Sequence, residues 1–327
     1  MTSITILGSG GWGLALACTS SRLGHEVTVW SAFKDELDTI RRTGELRAKL
    51  PGVQIPKSVN LCEDISCASG RDIVVVGIPS KFVRSVCEQA KPYIDRNAII
   101  VSSAKGLEDG TLKRMSEVIR EVFPDNRIAV LSGPSHAEEL GRGMPTAVAV
   151  ASEDEEAAKL IQSSFSDDVL RLYVNNDVIG CEVGGAVKNV IALCSGVVGG
   201  LGYGDNTKAA LMTRGLSEIT RLGVAMGARP DTFSGLAGLG DLVVTCTSMH
   251  SRNYRAGLLI GQGVEPEEAV RQIGTVEGYA CAKATLELAK KYGVDMPITA
   301  EVNKVLFEGK SPRVAINELM LRPVRTE

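Results

Sequence analysis

The sequence predicts an α/β protein in which an N-terminal doubly wound, mainly parallel sheet precedes an all-helical C-terminal domain. First, short β-branched runs alternate with helical stretches through the first half of the 327 residues. Second, runs such as Ile73 to Val76 are apolar on both faces, which is typical of parallel strands covered by helices on both sides. Third, the alternation stops after Asn175-Asn176-Asp177, where long helical stretches joined by Gly-rich turns begin.

The predicted strands all lie before this change of pattern, at residues 4–7, 26–30, 72–78, 98–103, 128–132, 146–151 and 169–174. Asp177 is a predicted N-cap for the first of the later helices, and no convincing strand follows it. The predicted domains are therefore residues 1–177 and 178–327, which suits a chain too long for one ordinary core. The end of the chain, Arg322 to Glu327, is expected to fray.

Composition argues against several classes of partner. A formal net charge of -3 gives no long-range attraction to nucleic acid or to an anionic membrane. Apolar stretches such as Ile73 to Ile78 and Val190 to Leu201 fall short of the roughly 20 residues of a membrane span. The N-terminus carries no pattern of a secretory signal, so we expect a cytoplasmic protein.

Cysteine and histidine patterns give no sign of a disulfide framework or a metal site. The 8 cysteines form no CxxC pair and sit mostly within apolar patterns, so we interpret them as reduced core residues. The 3 histidines are scattered along the chain, so no metal is expected.

The first predicted strand runs directly into Gly8-Ser9-Gly10-Gly11-Trp12-Gly13, which fits G-x-G-x-x-G. Gly8 permits the tight turn, Gly10 lets backbone approach a pyrophosphate, and Gly13 lets the helix pack on the strand. The following helix, about 11–23, directs its amides and positive dipole end at that phosphate. A structural glycine turn is the alternative, but the strand–loop–helix–strand setting favours a Rossmann-like domain that binds NAD or NADP.

The end of the second strand bears on the choice of cofactor. An NAD-selective site usually has Asp or Glu there, whereas this chain has Trp30-Ser31-Ala32-Phe33-Lys34 and no acid until Asp35. Ser31 and Lys34 could accept a 2′-phosphate, so NADPH is expected to compete within about tenfold of NADH, or better. The alternative is that Lys34 is a solvated surface lysine.

Unusual short motifs follow the later strands. They are Pro79-Ser80, Lys105-Gly106 and Gly133-Pro134-Ser135-His136-Ala137. Each one alone could be a turn or a helix cap. Because the carboxyl ends of parallel strands share one edge of a sheet, we expect them around one crevice, with Lys105 facing a ligand.

The helix after Asp177 contains Gly184-Gly185 followed by Lys188. Helical side chains lean toward the N-terminus, so Lys188 covers the turn that holds the two glycines. Bare glycine there leaves room for a ligand beside the ammonium, or for another helix. The alternative for Lys188 is a lysine that extends from a buried helix to solvent.

Two further clusters follow. Gly238-Leu239-Gly240-Asp241-Leu242 puts a carboxylate in a Gly-rich turn, where Asp241 serves either as a helix cap or in catalysis. Ser251-Arg252-Asn253 is typical of a helix start with Ser251 as N-cap, where amides and a guanidinium would clamp a phosphate. A surface arginine beside an ordinary cap is the alternative.

Taken together, these segments resemble the bacterial-type NAD(P)-dependent glycerol-3-phosphate dehydrogenases over nearly the whole chain. The most specific matches are Ser132-Gly133-Pro134-Ser135, Gly184 to Asn189, Gly202-Tyr203-Gly204-Asp205-Asn206, Thr213-Arg214-Gly215, Gly240-Asp241-Leu242 and Ser251-Arg252-Asn253. The resemblance implies reversible hydride transfer between NAD(P)H and dihydroxyacetone phosphate, which gives sn-glycerol 3-phosphate for phospholipid synthesis. A homodimer is left open. The departure from the pattern is at Ala32 and Phe33, where relatives often carry a basic residue.

The resemblance also implies roles for individual residues. Lys188 would exchange the proton with the substrate oxygen, Lys105 would hold substrate near the nicotinamide, and Asp241 would orient Lys188 or a substrate hydroxyl. Arg252 and Asn253 would bind the phosphate. Further substrate contacts would come from Gly133, Ser135 and Ser251, and further cofactor contacts from Trp12, Lys105, Ala137, Arg252, Val276 and Glu277.

Two other functions compete with this one. A reductase acting on a hydroxy acid would share the Lys-Asn helix but would have less need of a phosphate clamp at 251–253. A redox sensor that binds NAD(P)H without turning it over would not need Lys105, Lys188 and Asp241 to converge.

Overall fold

The computed structural model describes residues 1–323 and divides the chain into two compact units. Unit 1 comprises residues 1–106 and 113–182, and unit 2 comprises residues 107–112 and the chain from Val183 onward. The predicted second domain runs to residue 327 and the predicted fraying covers residues 322–327, but the segment 324–327 lies outside the described residues.

Unit 1 is built on one sheet, whose strands are β1 (Ser3–Leu7), β2 (Glu26–Trp30), β3 (Asn60–Cys62), β4 (Ile73–Val76), β5 (Ile99–Ser102), β6 (Arg127–Ser132), β7 (Thr146–Ser152) and β8 (Leu170–Asn175). Their order is β3-β2-β1-β4-β5-β6-β7-β8, and every neighbouring pair is parallel except β6 and β7. The first six follow the usual strand order of a dinucleotide-binding fold. The predicted Rossmann-like class is confirmed, and β3 is an addition to the predicted strands.

Local sequence explains why the central strands of the sheet are buried on both faces. All four residues of β4 are buried, as the run of β-branched side chains predicts. The helices of this unit are α1 (Gly11–Arg22), α2 (Lys34–Thr43), α3 (Val83–Ala90), α4 (Met115–Val122), α5 (Ala137–Gly141) and α6 (Glu155–Phe165). Small residues of α1, such as Ala15 and Ala17, lie in the same apolar core as β1 and β2. This packing fixes the β1–α1 junction, where the G-x-G-x-x-G loop lies.

The chain beyond the sheet is helical. Its elements are α7 (Val178–Gly200), α8 (Asp205–Ala225), α9 (Pro230–Phe233), α10 (Asp241–Thr247), α11 (Arg252–Gly261), α12 (Pro266–Ile273), α13 (Glu277–Tyr292), α14 (Pro297–Phe307) and α15 (Pro312–Met320). The predicted N-cap of α7 is confirmed, because the Asp177 carboxylate accepts a hydrogen bond from the Gly180 amide at 2.8 Å. No strand occurs from Val178 to the last described residue, as expected.

Helix α7 is longer than the apolar stretch 190–201 suggested. It has 23 residues and is apolar enough, by length and composition alone, to cross a membrane. Within the structure 83% of its most apolar window is buried, which is typical of the central helix of a helical domain.

A buried glutamate joins two helices of unit 2. Glu218 on α8 accepts hydrogen bonds from the Ile298 and Thr299 amides, at 2.6 and 3.1 Å, and so caps α14 from another helix. Burial raises the pKa of this carboxyl, while the amide hydrogen bonds oppose that shift. Glu218 therefore serves the fold through contacts with protein groups.

Glycines let α7 and α11 approach closely. A Cβ placed on Gly257 would lie 1.9 Å from the Leu193 carbonyl oxygen, and one on Gly196 would lie 2.1 Å from the Tyr254 carbonyl oxygen. Both contacts are with backbone atoms, which cannot rotate away. Any larger side chain must therefore push the two helices apart.

Gly257→Ala is accordingly expected to destabilise the protein by about 3 kcal/mol, the upper end of the usual cost of overpacking. Gly204→Ala is the matched control, because a Cβ there meets no heavy atom within 4 Å and φ is -83°. Gly204→Ala should lower the free energy of unfolding by about 1 kcal/mol or less, since alanine is only a poorer N-cap than glycine. Equal denaturant midpoints for the two variants would contradict this account of the α7–α11 contact.

Candidate functional site

The glycine loop after β1 has the geometry that dinucleotide binding requires. Gly8 has φ +121°, and a Cβ on it would lie 2.6 Å from the Gly77 carbonyl oxygen. A Cβ on Gly13 would lie 2.7 Å from the Gly8 carbonyl oxygen. The fold itself therefore demands glycine at these two positions, for the turn and for the helix–strand contact.

Gly10 differs, because the fold does not demand it. It is the N-cap of α1 with φ -66°, and a Cβ there would come no closer than 3.6 Å to the nearest heavy atom considered, the Gly77 carbonyl oxygen. Glycine at this position instead suits the close approach of an external group to the first amides of a 12-residue helix. The loop therefore fits the pyrophosphate of a dinucleotide.

Two predicted cofactor residues lie in or next to this loop. Trp12, in the first turn of α1, and Ala137, the first residue of α5, are both half-buried against the main apolar core. A Cβ on Gly11 would lie 3.2 Å from the Ala137 Cβ, so the starts of α1 and α5 touch. The structure thus brings both residues next to the glycine loop.

The end of β2 holds a carboxylate that the sequence analysis missed. Glu36, in the first turn of α2, accepts a hydrogen bond from the Ser9 hydroxyl and is paired with Lys49 at 2.7 Å. The Ser31 hydroxyl lies 2.7 Å from the Ser9 hydroxyl. An acid therefore does reach the end of β2, although it comes from the following helix. Lys34 is exposed, with its Nζ 3.7 Å from a Glu63 carboxylate oxygen.

Lys105 lies beyond β5, next to the turn that follows β6. Its Nζ donates to the Gly133 carbonyl and to the Ser135 hydroxyl, both at 2.7 Å. Gly133 has φ +135°, a backbone conformation that favours glycine. Three of the predicted substrate residues are thus in direct contact at one edge of the sheet.

Lys188 is the most deeply buried cation among the predicted catalytic residues. It is 4% exposed, and its Nζ donates to Asp241 Oδ1 at 2.6 Å and to the Thr245 hydroxyl at 2.5 Å. The Thr245 hydroxyl in turn donates to the Asp241 carbonyl at 2.6 Å. Asp241 is the first residue of α10, and its carboxylate is 1% exposed. The alternative of a lysine extending to solvent is therefore wrong.

The packing of the same cluster explains why residue 184 is a glycine. A Cβ there would lie 2.4 Å from the Ala237 carbonyl oxygen, in the turn that leads into α10. The sequence left two roles open for this glycine, room for a ligand or close approach of another segment, and the structure shows the second. It lets the turn carrying Asp241 reach the helix that carries Lys188.

The predicted phosphate clamp begins α11. The Ser251 hydroxyl accepts a hydrogen bond from the Tyr254 amide at 3.1 Å, which confirms Ser251 as the N-cap. Arg252 is the first residue of the helix and is exposed.

The Asn253 side chain is largely engaged with protein groups. Its Nδ2 donates to Asn189 Oδ1 at 2.9 Å, and its Oδ1 accepts from the Gly278 amide at 2.8 Å. Asn189, the residue after Lys188, was not singled out as a contact from sequence. Asn253 thus joins α11 to the helix that carries Lys188 and to the start of α13.

The last two predicted cofactor residues lie at that same start of α13. Glu277 is the first residue of α13 and Val276 is its N-cap. Val276 is 4% exposed.

All eight cysteines lie within residues 1–323 and are free thiols. Burial raises the pKa of the Cys246 and Cys281 thiols to about 12, which makes them inert side chains of the helical core. Among the described residues 1–323, no group of three or more His, Cys, Asp or Glu side chains is arranged to hold a metal.

Two family models match the chain. The N-terminal model of NAD-dependent glycerol-3-phosphate dehydrogenase matches residues 3–158, and the C-terminal model matches residues 177–317. A protein of Thermoanaerobacter sp. (strain X514) named glycerol-3-phosphate dehydrogenase (NAD(P)+) is 50% identical over 326 residues, which cover 99% of this chain and 98% of that protein. One of the same name from Fusobacterium nucleatum is 48% identical over 331 residues, covering 100% and 99%.

Solved structures agree with the sequence comparisons. The crystal structure of glycerol-3-phosphate dehydrogenase from Coxiella burnetii superposes with a TM-score of 0.94 at 38% identity, covering 98% of this chain and 99% of that one. A ketopantoate reductase from Ralstonia eutropha gives a TM-score of 0.63 at 15% identity, covering 97% and 99%. The second likeness is one of fold alone, so it gives no support to the hydroxy-acid alternative.

Proposed function

The chain belongs to the NAD-dependent glycerol-3-phosphate dehydrogenase family, and from that premise we propose how its residues perform the reversible reduction of dihydroxyacetone phosphate to sn-glycerol 3-phosphate. The observation that carries the proposal is the buried Lys188–Asp241–Thr245 cluster, in which a lysine ammonium is held by two oxygen acceptors. Such an ammonium supplies both a proton and a positive charge to an oxygen that becomes an alkoxide.

Lys188 is the proposed acid. When a ketone is reduced, the carbon takes the hydride, and the oxygen takes a proton from the lysine Nζ. In the reverse direction the amine takes the proton back from the hydroxyl. The bound nicotinamide supplies or accepts the hydride. Asp241 and Thr245 each hold the ammonium from one side, so we assign them the role of orienting it.

Lys105 is the proposed second cation at the substrate. Its contacts with Gly133 and Ser135 hold the side chain in one position, which supports a role in orienting the reacting carbonyl. Phosphate binding is assigned to Arg252 and to the start of α11, with Ser251 as its cap. The contacts of Asn253 with protein groups support a mainly positioning role for this residue.

The proposed cofactor is NADH or NADPH, held by the loop Gly8 to Gly13. Trp12 and Ala137 would flank the loop, and Lys105, Arg252, Val276 and Glu277 would contribute further contacts. The support is the glycine geometry, because Gly8 and Gly13 shape the loop while Gly10 leaves its amides accessible.

The proposal predicts that NADH and NADPH are both oxidised in the presence of dihydroxyacetone phosphate, and far more slowly with dihydroxyacetone. The phosphate is remote from the reacting carbon, so its binding energy serves to position that carbon. The measurement is the loss of absorbance of the reduced dinucleotide with each substrate. Equal rates with the two substrates would contradict phosphate recognition, and no turnover with either would contradict the reaction.

We further propose a cytoplasmic enzyme of glycerophospholipid synthesis that has no nucleic-acid partner and no membrane span, while a homodimer is left open. The free cysteines suit a reducing compartment, and the burial of α7 suits a core helix. Analytical ultracentrifugation tests the assembly, since a homodimer has twice the 34.7 kDa of one chain.

A further inference from the structure

We propose that Glu36 and Lys49 set the balance between the two cofactors. Glu36 accepts a hydrogen bond from the adenosine 2′-hydroxyl of NADH, and Lys49 attracts the 2′-phosphate of NADPH. This inference rests on the proposed function, in that the chain must bind a dinucleotide at the loop Gly8 to Gly13. It assigns the choice of cofactor to residues supplied by α2 and by the chain that follows it, whereas a selecting acid usually belongs to the end of the second strand itself.

The position of Glu36 is the first argument. Its carboxylate is bonded to Ser9, which lies between the first two glycines of the loop and is 3% exposed. Ser9 also contacts Ser31, the residue that directly follows β2. In a fold of this class the adenosine ribose lies beyond the end of β2, beside that loop. The carboxylate therefore lies where a selecting acid has to be, although α2 supplies it.

The direction of the hydrogen bonds is the second argument. The Ser9 hydroxyl donates its one proton to Glu36, so the Ser31 hydroxyl must be the donor in the 2.7 Å contact between the two serines. The Ser31 oxygen in turn accepts from the Phe33 amide at 3.1 Å. This chain of donors ends on Glu36, whose side chain serves as the acceptor.

A carboxylate acceptor distinguishes the two cofactors. A carboxylate can accept about four hydrogen bonds in all, so Glu36 retains capacity for a ribose hydroxyl, which is a donor. A 2′-phosphate brings only acceptors and negative charge, and the carboxylate repels it. Glu36 therefore favours NADH.

Lys49 acts in the opposite sense. Its Nζ lies 2.7 Å from one Glu36 oxygen and 2.9 Å from the other, and its side chain is 35% exposed. A Cβ on Gly11 would lie 2.5 Å from the Lys49 carbonyl oxygen, so the backbone at Lys49 packs directly against the start of α1. The ammonium is thus held beside the dinucleotide loop and is open to a phosphate from solvent.

An exposed aromatic ring lies beside Lys49. Phe33 is 62% exposed, and its ring centroid lies 5.4 Å from the Lys49 Nζ. Large exposed rings beside a charged pair suit the face of a purine base. This supports adenosine as the group that the pair contacts.

The test compares Glu36→Gln with Asp35→Asn, which removes the same charge from the exposed neighbouring position of α2. Lys49→Met is compared with Lys57→Met, at an exposed lysine outside the cluster. Calorimetric titration without substrate gives the dissociation constants of NADH and NADPH. Titration with adenosine 5′-monophosphate and adenosine 2′,5′-bisphosphate isolates the adenosine end.

Glu36→Gln is expected to shift the affinity ratio toward NADPH, and toward the bisphosphate, by about tenfold or more. Lys49→Met is expected to shift both ratios in the opposite direction. The two controls should change the ratios by less than about twofold, because exposed charges are screened.

A pair that only fastens the loop to α2 would give a different result. Glu36→Gln would then weaken both dinucleotides by one factor, and a ratio no different from that of Asp35→Asn would overturn the proposal. These measurements contain no dihydroxyacetone phosphate. A shifted ratio in a protein that does not turn over this substrate would therefore sink the proposed function and leave the present inference standing.

Discussion

Lys188→Met is expected to abolish reduction of dihydroxyacetone phosphate while leaving NADH bound nearly as tightly as before. The lysine Nζ lies 2.6 Å from Asp241 and is the proposed proton donor. Loss of a positioned acid usually costs about 10²–10⁴ in rate. The dinucleotide loop belongs to unit 1, and Lys188 belongs to unit 2 and is assigned no cofactor contact, so affinity for the cofactor should change little. Turnover is measured with dihydroxyacetone phosphate, and NADH affinity by titration in its absence.

A stability control is needed because methionine leaves the Asp241 carboxylate buried without its cation. Breaking a buried ion pair in this way typically costs about 3–5 kcal/mol, so thermal unfolding must be followed for each variant. Lys188→Met/Asp241→Asn removes the stranded charge and should regain stability without regaining activity. Glu218→Gln alters a buried charge elsewhere in unit 2 and should stay active. A stable Lys188→Met enzyme with near-normal kcat would remove Lys188 from the mechanism.

The sequence predicts those strands that can be recognised from their own residues alone. β4 was predictable because its four residues are apolar and buried on both faces. β3 was not, because Asn60–Cys62 is short and only partly buried, and its strand conformation depends on pairing with β2. The antiparallel pairing of β6 and β7 leaves no local mark either, since a strand buried on both faces has the same pattern in either direction.

The same holds for the site: single residues could be predicted from the sequence, but contacts between distant residues could not. Sequence pattern singled out Lys188 and Asp241 separately, but their ion pair depends on tertiary packing. Thr245 was missed, although it lies four residues after Asp241 and therefore on the same face of α10, a spacing that could have indicated it. Glu36 was missed because the pattern for a selecting acid places it at the end of the strand, whereas this carboxylate comes from the first turn of α2.

Arg252→Ala is expected to weaken recognition of the phosphate and leave the chemistry at the carbonyl largely intact. Arg252 is exposed at the first position of α11, where its guanidinium and the positive end of the helix dipole would act on the same anion. A guanidinium can make two parallel charge-assisted bonds to phosphate oxygens. Their loss should reduce kcat/KM for dihydroxyacetone phosphate by about 10–100-fold. Arg252→Lys keeps the charge but loses the two parallel donors of the guanidinium, so its kcat/KM should lie between those of the wild type and of Arg252→Ala.

The decisive measurement is the ratio of kcat/KM for dihydroxyacetone phosphate to that for dihydroxyacetone. Because the truncated substrate has no phosphate to bind, Arg252→Ala should leave its slow reduction unchanged, and the ratio should shrink. Arg271→Ala removes an exposed arginine from α12 in the same unit and should preserve the ratio. If Arg252→Ala instead slows both substrates by one factor, Arg252 serves the cofactor or the fold. Phosphate recognition would then have to come from Lys105 or from the amides at the start of α11.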